Sequence, residues 1–541
     1  MKKKPDVVVL EDGGIGWELS FDTFDMKMYI PKSELPYKII NYGFRAPFLL
    51  VFQEGLKNVE SVEIFAKEQG FAAIAASYAC GVAVVSPKEG VGWDEAPTSI
   101  YADIMEQSRI SQYYEDGFAL MWDRFEKKWG EYFIRGTVSR AVLYGRGKAA
   151  DYIARNCLKT LEGQSIWGPG EITPVACVLE QLSEAVIPAR RDIAVLSVGN
   201  SEEVNRLFSE ALDHFEQRET ADHEKDFRDF VGNFRRMAGK LIEEPDFEKL
   251  GMVVRPESAI LTTSPDNMGD DKDTHTHEVG YMMFCNQSAL TSGKKLPLML
   301  CFHGGGDSIF YMALTSGWYR VAHAHDFILV CIENHLNSTA TEMMELLDVL
   351  KKQYPIDSEK IYATGFSMGG CKSWDMYQEY PEVFAGLAPM DATFEVGLNV
   401  FGQPAPKAIN DTVPVPVFYI GGELTPLPEL PFQAQKCVDR MENVLRVNRA
   451  KKKYMADYNN QGAWENPIWG INGDSITRHV DGSRDNAVLT LHYFYSEDNI
   501  CYTVFGSVSN QGHEVRPHTC EQAWRFLRQF RRLPDGRIVL E

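Results

Sequence analysis

Gly365-Phe366-Ser367-Met368-Gly369 lies between the apolar run 361–364 and a stretch of helical length that begins at Met368. A serine framed by glycines at a strand-to-helix junction is lifted clear of the backbone, because its small neighbours let the chain turn sharply. Gly370 gives further room. A bare Gly-x-Ser-x-Gly match recurs by chance. Its setting between a strand-like and a helix-like run makes Ser367 the candidate nucleophile.

Working outward, the second half alternates two periods. Leu296–Phe302, 327–332, 360–364, 413–420 and 500–508 read as strands. Segments near 312–324, 339–354, 368–380 and 519–532 read as helices, the last amphipathic through Trp524, Phe526, Leu527 and Phe530. Strands separated by helices imply a largely parallel sheet covered on both faces. The expected class is α/β.

A chain of 541 residues exceeds one ordinary core, and 44% apolar content predicts globular structure throughout. Residues 204–250 are charge-rich and read as helical, with Val204, Leu207, Phe208, Leu212, Phe227, Phe230 and Phe234 as the apolar positions. The stretch from Pro256 to Asp273 reads as a linker rich in Ser, Thr, Pro, Gly and Asp. The boundary is expected within 245–275, giving domains 1–250 and 251–541. The first half echoes the second: 47–52 is like 297–302, 71–76 like 327–332, 141–147 like 361–367, and 192–198 like 415–420. One explanation is the common rhythm of any two α/β domains. The other is a degenerate hydrolase-like domain in which Gly147 stands at the nucleophile position and Gln53-Glu54-Gly55 replaces His303-Gly304-Gly305.

A serine hydroxyl needs a base within hydrogen-bond reach. His513 follows the strand 500–508 and precedes the last helix, so its loop can return an imidazole to Ser367. His479, His492 and His518 compete, and His492 falls in a strand-like run that favours a structural role. His303-Gly304-Gly305-Gly306 follows the apolar run 298–302 and can turn N–H groups toward a developing oxyanion. The expected donors are the N–H of Met368 and one near Gly305 or Gly306, with His303 shaping the loop. The acid should hold the imidazole's tautomer from a loop after a later strand. Glu423, just beyond 415–420, is the expected acid, with Glu429, Asp439 and Asp391 as alternatives.

These features resemble the α/β-hydrolase esterases of the feruloyl-esterase and polyhydroxybutyrate-depolymerase-like type. The likeness rests on 298–306, 365–370, Tyr380-Pro381-Glu382-Val383-Phe384-Ala385-Gly386 and Gly512-His513, and covers about 280–541. It implies ester hydrolysis through an acyl-enzyme, no metal and no cofactor. The family usually presents aspartate as the acid, from which Glu423 departs. The resemblance does not extend to the first half.

An insertion is expected at 445–485, where Trp464 and Trp469 either cover a substrate cleft or pack against the first domain. Asp271, Asp273, His275 and His277 have metal-like composition in a linker-like setting and read as a solvated loop. Gly145-Arg146-Gly147-Lys148 lacks the spacing of a phosphate loop.

The formal charge of 55 minus 76, or -21, disfavours nucleic-acid or anionic-lipid partners. The basic Met1–Lys4 is followed by acidic interruptions rather than an apolar core, so no signal peptide is expected. Ten cysteines, many inside apolar runs, read as reduced core residues of a cytoplasmic protein. The expected activity is hydrolysis of a small carboxylic ester. The rivals are a short-peptide or amide hydrolase and a catalytically silent binding protein.

Overall fold

Ile328-Leu329-Val330-Cys331-Ile332 is buried at every position, as is Gly386–Met390. Unbroken apolar runs of this length form strands only where both sheet faces are covered, which requires parallel neighbours joined by crossover helices. The computed structural model bears this out. It describes residues 6–541 apart from 33–46, 79, 106–136, 166–167, 238–239, 263–275, 305–308, 334–337, 394, 399–403, 405–408, 425–434, 453–471 and 483–484. The chain divides into two units, 1–245 and 246–541, so residues 246–250 go with the second.

The first unit contains β1 (Val8–Val9), β2 (Ile15–Ser20), β3 (Phe24–Ile30), β4 (Pro47–Phe52), β5 (Val82–Pro87), β6 (Thr137–Arg146), β7 (Ala176–Glu180), β8 (Ala194–Val198) and β9 (His214–Arg218). They form one sheet in the order β1-β2-β3-β5-β4-β6-β7-β8-β9. Helix α1 (Lys148–Cys157) packs on β6 and β7, and α2 (His223–Asp229) follows β9.

In the second unit the strands are β10 (Met252–Thr262), β11 (Thr276–Asn286), β12 (Leu296–Phe302), β13 (Ile328–Ile332), β14 (Ile356–Phe366), β15 (Gly386–Met390), β16 (Val417–Gly422), β17 (Ser475–Val480), β18 (Val488–Tyr495) and β19 (Cys501–Val508). Their order is β10-β11-β13-β12-β14-β15-β16-β19-β18-β17. From β13 to β19 neighbouring strands run parallel, and antiparallel strands finish both edges. Leu298, Leu300 and Phe302 on one face join Met343, Leu346 and Leu350 of α3 (Ala340–Gln353) and Trp374 and Tyr377 of α4 (Met368–Glu379) in a single core. The intervening Met299 and Cys301 are buried as well, so the other face is also covered. Helix α4 packs on β12, β14 and β15, while α5 (Pro517–Leu527) packs on β15 and β16. Thr339 and Glu342 close a capping box at the start of α3, which fixes where that helix begins.

Several sequence expectations give way. Residues 71–76, read as a strand, lie in the helix Phe71–Ser77, because Phe-Ala-Ala-Ile-Ala-Ala is rich in the best helix former while the strand falls on the β-branched Val82–Pro87. The helical reading of 204–250 holds for Glu202–Ala211 and α2 but is broken by β9 and by the short strand Phe234–Met237. Pro256 is inside β10 rather than in a linker; β10 is an edge strand, where a missing N–H costs no ladder bond. The helix expected at 312–324 is two helices, Ile309–Thr315 and Trp318–His325, parted at Gly317 with φ 71°. Within the expected insertion, Ser475–Val480 extends the sheet as the edge strand β17, and Arg446 and Val447 close the helix Gln435–Val447. Residues 271–275 lie outside the described residues. No described helix is long and apolar enough to cross a membrane.

The packing of β12 carries a direct expectation. Leu300 is 0% exposed in the middle of the core, so Leu300→Ala should cost about 2–5 kcal/mol through lost burial and the cavity left behind. Urea unfolding of the full chain measures it, as a lower midpoint for the second unit; an unchanged midpoint would remove β12 from the centre of the core.

Candidate active site

The elbow is a steric construction. Strand β14 ends at Phe366 and α4 begins at Met368, leaving Ser367 to make the whole turn at φ 53° and ψ −119°. Non-glycine residues pay about 1–3 kcal/mol for such backbone, so the surroundings must enforce it. They do so by close approach. A Cβ on Gly365 would come 2.1 Å from the Gly369 carbonyl oxygen, and one on Gly369 would come 2.1 Å from that of Phe302. Only glycine at both positions lets α4 sit this tightly against β14 and β12. The Ser367 N–H donates to the Met390 carbonyl at 3.0 Å, tying the turn to the end of β15. Farther along α4, Lys372 is buried with Asp375 at 3.1 Å and donates to the Ser338 carbonyl at 2.7 Å, which anchors the helix to the approach of α3. Burial pushes the Asp375 carboxyl above its ordinary range, and Lys372 pulls it back.

His513 reaches the elbow from the loop after β19. Its Nε2 lies 2.8 Å from Ser367 Oγ, and its Nδ1 lies 2.9 Å from Asp391 Oδ2. With Nδ1–H donated to a carboxylate, the Nε2 lone pair is left facing the hydroxyl. The imidazole also lies against Phe366, with ring centroids 4.6 Å apart. Ser367 is 8% exposed and Asp391 0%, while the His513 side chain keeps 16% of its surface, so Asp391 is the one of the three fully shut off from solvent.

The carboxylate beside His513 therefore belongs to Asp391, not to Glu423. Asp391 directly follows β15, one strand earlier than the expected position after β16. Its backbone has φ 55°, its N–H donates to the Ile420 carbonyl at 2.8 Å, and its Oδ1 accepts from the Gly422 N–H at 3.2 Å. Burial raises the Asp391 carboxyl above the usual carboxylate range; hydrogen bonds from His513 and Gly422 act in the opposite sense. Glu423 does other work: its Oε2 accepts the Asn510 N–H at 2.7 Å, and its own N–H donates to the Val508 carbonyl at 3.0 Å. It thereby holds the loop that carries His513. Its carboxylate is already engaged three residues short of the imidazole, which is the physical reason the expectation fails. Asp391 was legible only as one of several carboxylates following a strand.

Met368 is the first residue of α4, so its N–H stands ahead of the helical ladder. Gly305, Gly306, Trp464 and Trp469 lie outside the described residues. His303 is buried against Glu333, with Nε2 to Oε1 at 2.9 Å, while Glu333 Oε2 accepts the Ile309 N–H at 3.3 Å. Glu333 thus joins His303, just after β12, to the first residue of the helix Ile309–Thr315. No motif marks Glu333 in the sequence; its signal is an acidic residue at the end of the strand beside β12. His492 is 0% exposed within β18 and accepts the Gly473 N–H at 3.2 Å, a structural role. Among the described residues no group of three or more His, Cys, Asp or Glu side chains is placed to hold a metal ion.

No protein-family profile matches the chain. Among curated proteins it is 24% identical over 243 residues to a bifunctional acetylxylan esterase/xylanase of Neocallimastix patriciarum, covering 43% of this chain and 31% of that one. NocK of Nocardia uniformis subsp. tsuyamanensis, which carries an esterase assignment, is 32% identical over 157 residues, or 26% of this chain and 42% of its own. Poly(3-hydroxyalkanoate) depolymerase C of Paucimonas lemoignei is 29% identical over 113 residues, 17% of this chain and 27% of its own. The matched stretches span 27–42% of the length of these relatives. Among solved structures, an acetyl xylan esterase from Aspergillus awamori aligns at TM-score 0.32 and 13% identity, over 50% of this chain and 98% of that one. The strand order and the elbow of the second unit are those of an α/β-hydrolase fold, and the curated proteins that the chain is similar to are named as esterases and a depolymerase.

Proposed function

We propose that the second unit hydrolyses carboxylic esters through an acyl-enzyme. One observation carries the reading: the unbroken hydrogen-bonded line from Asp391 through His513 to Ser367, with contacts of 2.9 and 2.8 Å. His513 Nε2 takes the Ser367 hydroxyl proton as Oγ attacks the carbonyl carbon. The resulting imidazolium is held by the Asp391 carboxylate, and the oxyanion is received by the Met368 N–H and by an N–H of the segment after His303. Protonated His513 then gives its proton to the leaving alcohol oxygen, and the alcohol departs. Water, deprotonated by the same nitrogen, attacks the acyl carbonyl, and the collapse returns Ser367 and releases the acid. General acid–base transfer of this kind is worth about 10²–10⁴-fold in rate.

The substrate proposed is a small neutral ester, in keeping with the net charge of -21, which disfavours polyanions. The names of the relatives make acetyl esters and hydroxyalkanoate oligomers the first classes to try. We place the protein in the cytoplasm, a setting supported by nine free cysteines among the described residues, eight of them buried.

Nitrophenyl acetate turnover should be lost in Ser367→Ala, to the background of the uncatalysed reaction; equal rates would remove Ser367 as nucleophile. The acid assignment separates two variants. Asp391→Asn keeps the shape but permits the wrong imidazole tautomer, and should lower kcat by about 10³–10⁴-fold. Glu423→Gln, which keeps an acceptor for Asn510, should change it by less than about tenfold, since it perturbs an exposed hydrogen bond of about 1 kcal/mol. The reverse ranking would return the acid role to Glu423.

A further inference from the structure

We propose that the first unit is a second copy of the hydrolase fold whose reaction centre has been dismantled, so that the chain carries one esterase site and one silent counterpart. Eight strands correspond in the same order and chain sequence: β2-β3-β5-β4-β6-β7-β8-β9 against β10-β11-β13-β12-β14-β15-β16-β19. Their directions agree pair by pair, antiparallel for the first two pairings and parallel for the rest. Even the irregularity recurs. β4 and β6 shift register between Pro47 and Phe48, and β12 and β14 shift between Leu296 and Leu298. Phe52 then faces Gly145 as Phe302 faces Gly365.

A shared α/β rhythm explains alternation of strands and helices, but not the details at the sheet's carboxyl end. Gly147 turns from β6 into α1 at φ 56° and ψ −125°, against 53° and −119° for Ser367. Its N–H donates to the Glu180 carbonyl at 2.8 Å, as that of Ser367 does to Met390 at 3.0 Å. Gln181, at φ 52°, donates its N–H to Val198 at 3.0 Å; Asp391, at φ 55°, donates to Ile420 at 2.8 Å. Two unusual backbone conformations at two matching strand ends identify the nucleophile and acid positions.

The chemistry at those positions is gone. Glycine has no hydroxyl, and the Gln181 amide carries no charge to stabilise an imidazolium; its Oε1 accepts from Arg146 Nε at 3.0 Å. The histidine after β9, His223, is stacked on Phe71 and buried, with Nδ1 3.0 Å from the Gln69 carbonyl and Nε2 2.7 Å from Glu180 Oε1. Both nitrogens face acceptors, so neither is disposed to take a proton from a hydroxyl at 147.

This inference rests on the esterase reading for its chemistry but not for its geometry, and the test keeps the two apart. A fluorophosphonate probe is applied to the full-length protein, with intact mass and peptide mapping as readout. The wild type should take a single adduct, on Ser367, and Ser367→Ala none. A Cβ at Gly147 would meet nothing within 4 Å, so G147S in the Ser367→Ala background should keep the wild-type circular dichroism and still take no adduct. An adduct mapped to 1–245 in any of these proteins would overturn the silent assignment. An experimental structure of the full chain provides the geometric arm, with Gly147 expected on Ser367 and Gln181 on Asp391 when the sheets are superposed. A different strand order in 1–245 would sink the proposal, even if the wild type takes no probe and the esterase reading has itself failed.

Discussion

A carboxylate with 0% exposure is expensive, and the way Asp391 is compensated organises the site around it. Burial alone favours the neutral acid. The charged form is sustained by the His513 Nδ1–H at 2.9 Å and the Gly422 N–H at 3.2 Å, and both donors must therefore be held in place. The imidazole is held because Phe366 lies against one of its faces and because its loop is clamped at the end of β16. Fixing the imidazole in turn fixes the direction of Nε2, so the placement of the hydroxyl partner and the solvation of the acid are one problem with one solution. Asp375, also buried, is matched differently, by the Lys372 ammonium at 3.1 Å.

The hydroxyl is supplied by a second constraint, independent of charge. Ser367 adopts an unfavourable backbone only because β14, α4 and β12 approach to distances that no side chain at 365 or 369 would allow. The Ser367 N–H and the Asp391 N–H both take their partners from the neighbouring strand, Met390 of β15 and Ile420 of β16. Successive parallel strands thus pass their geometry along the sheet edge, which explains why the site sits at the carboxyl ends of β14, β15 and β19 rather than in any single loop. The first unit repeats these backbone bonds with a glycine and a glutamine, so strand packing sets the two backbone conformations whatever side chains stand there.

Much of the fold is legible where local physics decides. The α/β class follows from buried apolar runs such as Ile328–Ile332 alternating with amphipathic segments, and Ser367 and His513 stand out by residue type, one at a strand-to-helix turn and the other in the loop after a late strand. What failed was decided at longer range or by competing propensities. Residues 71–76 look apolar enough for a strand, yet four alanines favour helix and the strand begins at Val82. Pro256 looks like punctuation, yet an edge position lets a strand run through it. The acid was ambiguous because Asp391 and Glu423 both follow strand ends, and the sequence does not state which neighbour the histidine loop overhangs.

The confusion of those two carboxylates has a structural cause, since the end of β16 serves both partners of the imidazole. The Gly422 N–H binds Asp391, and the next residue binds the histidine loop through Glu423 Oε2 to Asn510 and through the Glu423 N–H to Val508. Leu424 adds its N–H to the Gln511 carbonyl at 2.6 Å. A Cβ on Gly422 would fall 2.3 Å from the Gly512 carbonyl oxygen, so loop and strand end are in direct contact. Three consecutive residues therefore hold the Asp391 carboxylate and the His513 loop at the end of one strand. Glu423 stands just past β16 and ties the strand carrying the histidine loop and the loop itself to it, through its N–H to Val508 and its Oε2 to Asn510.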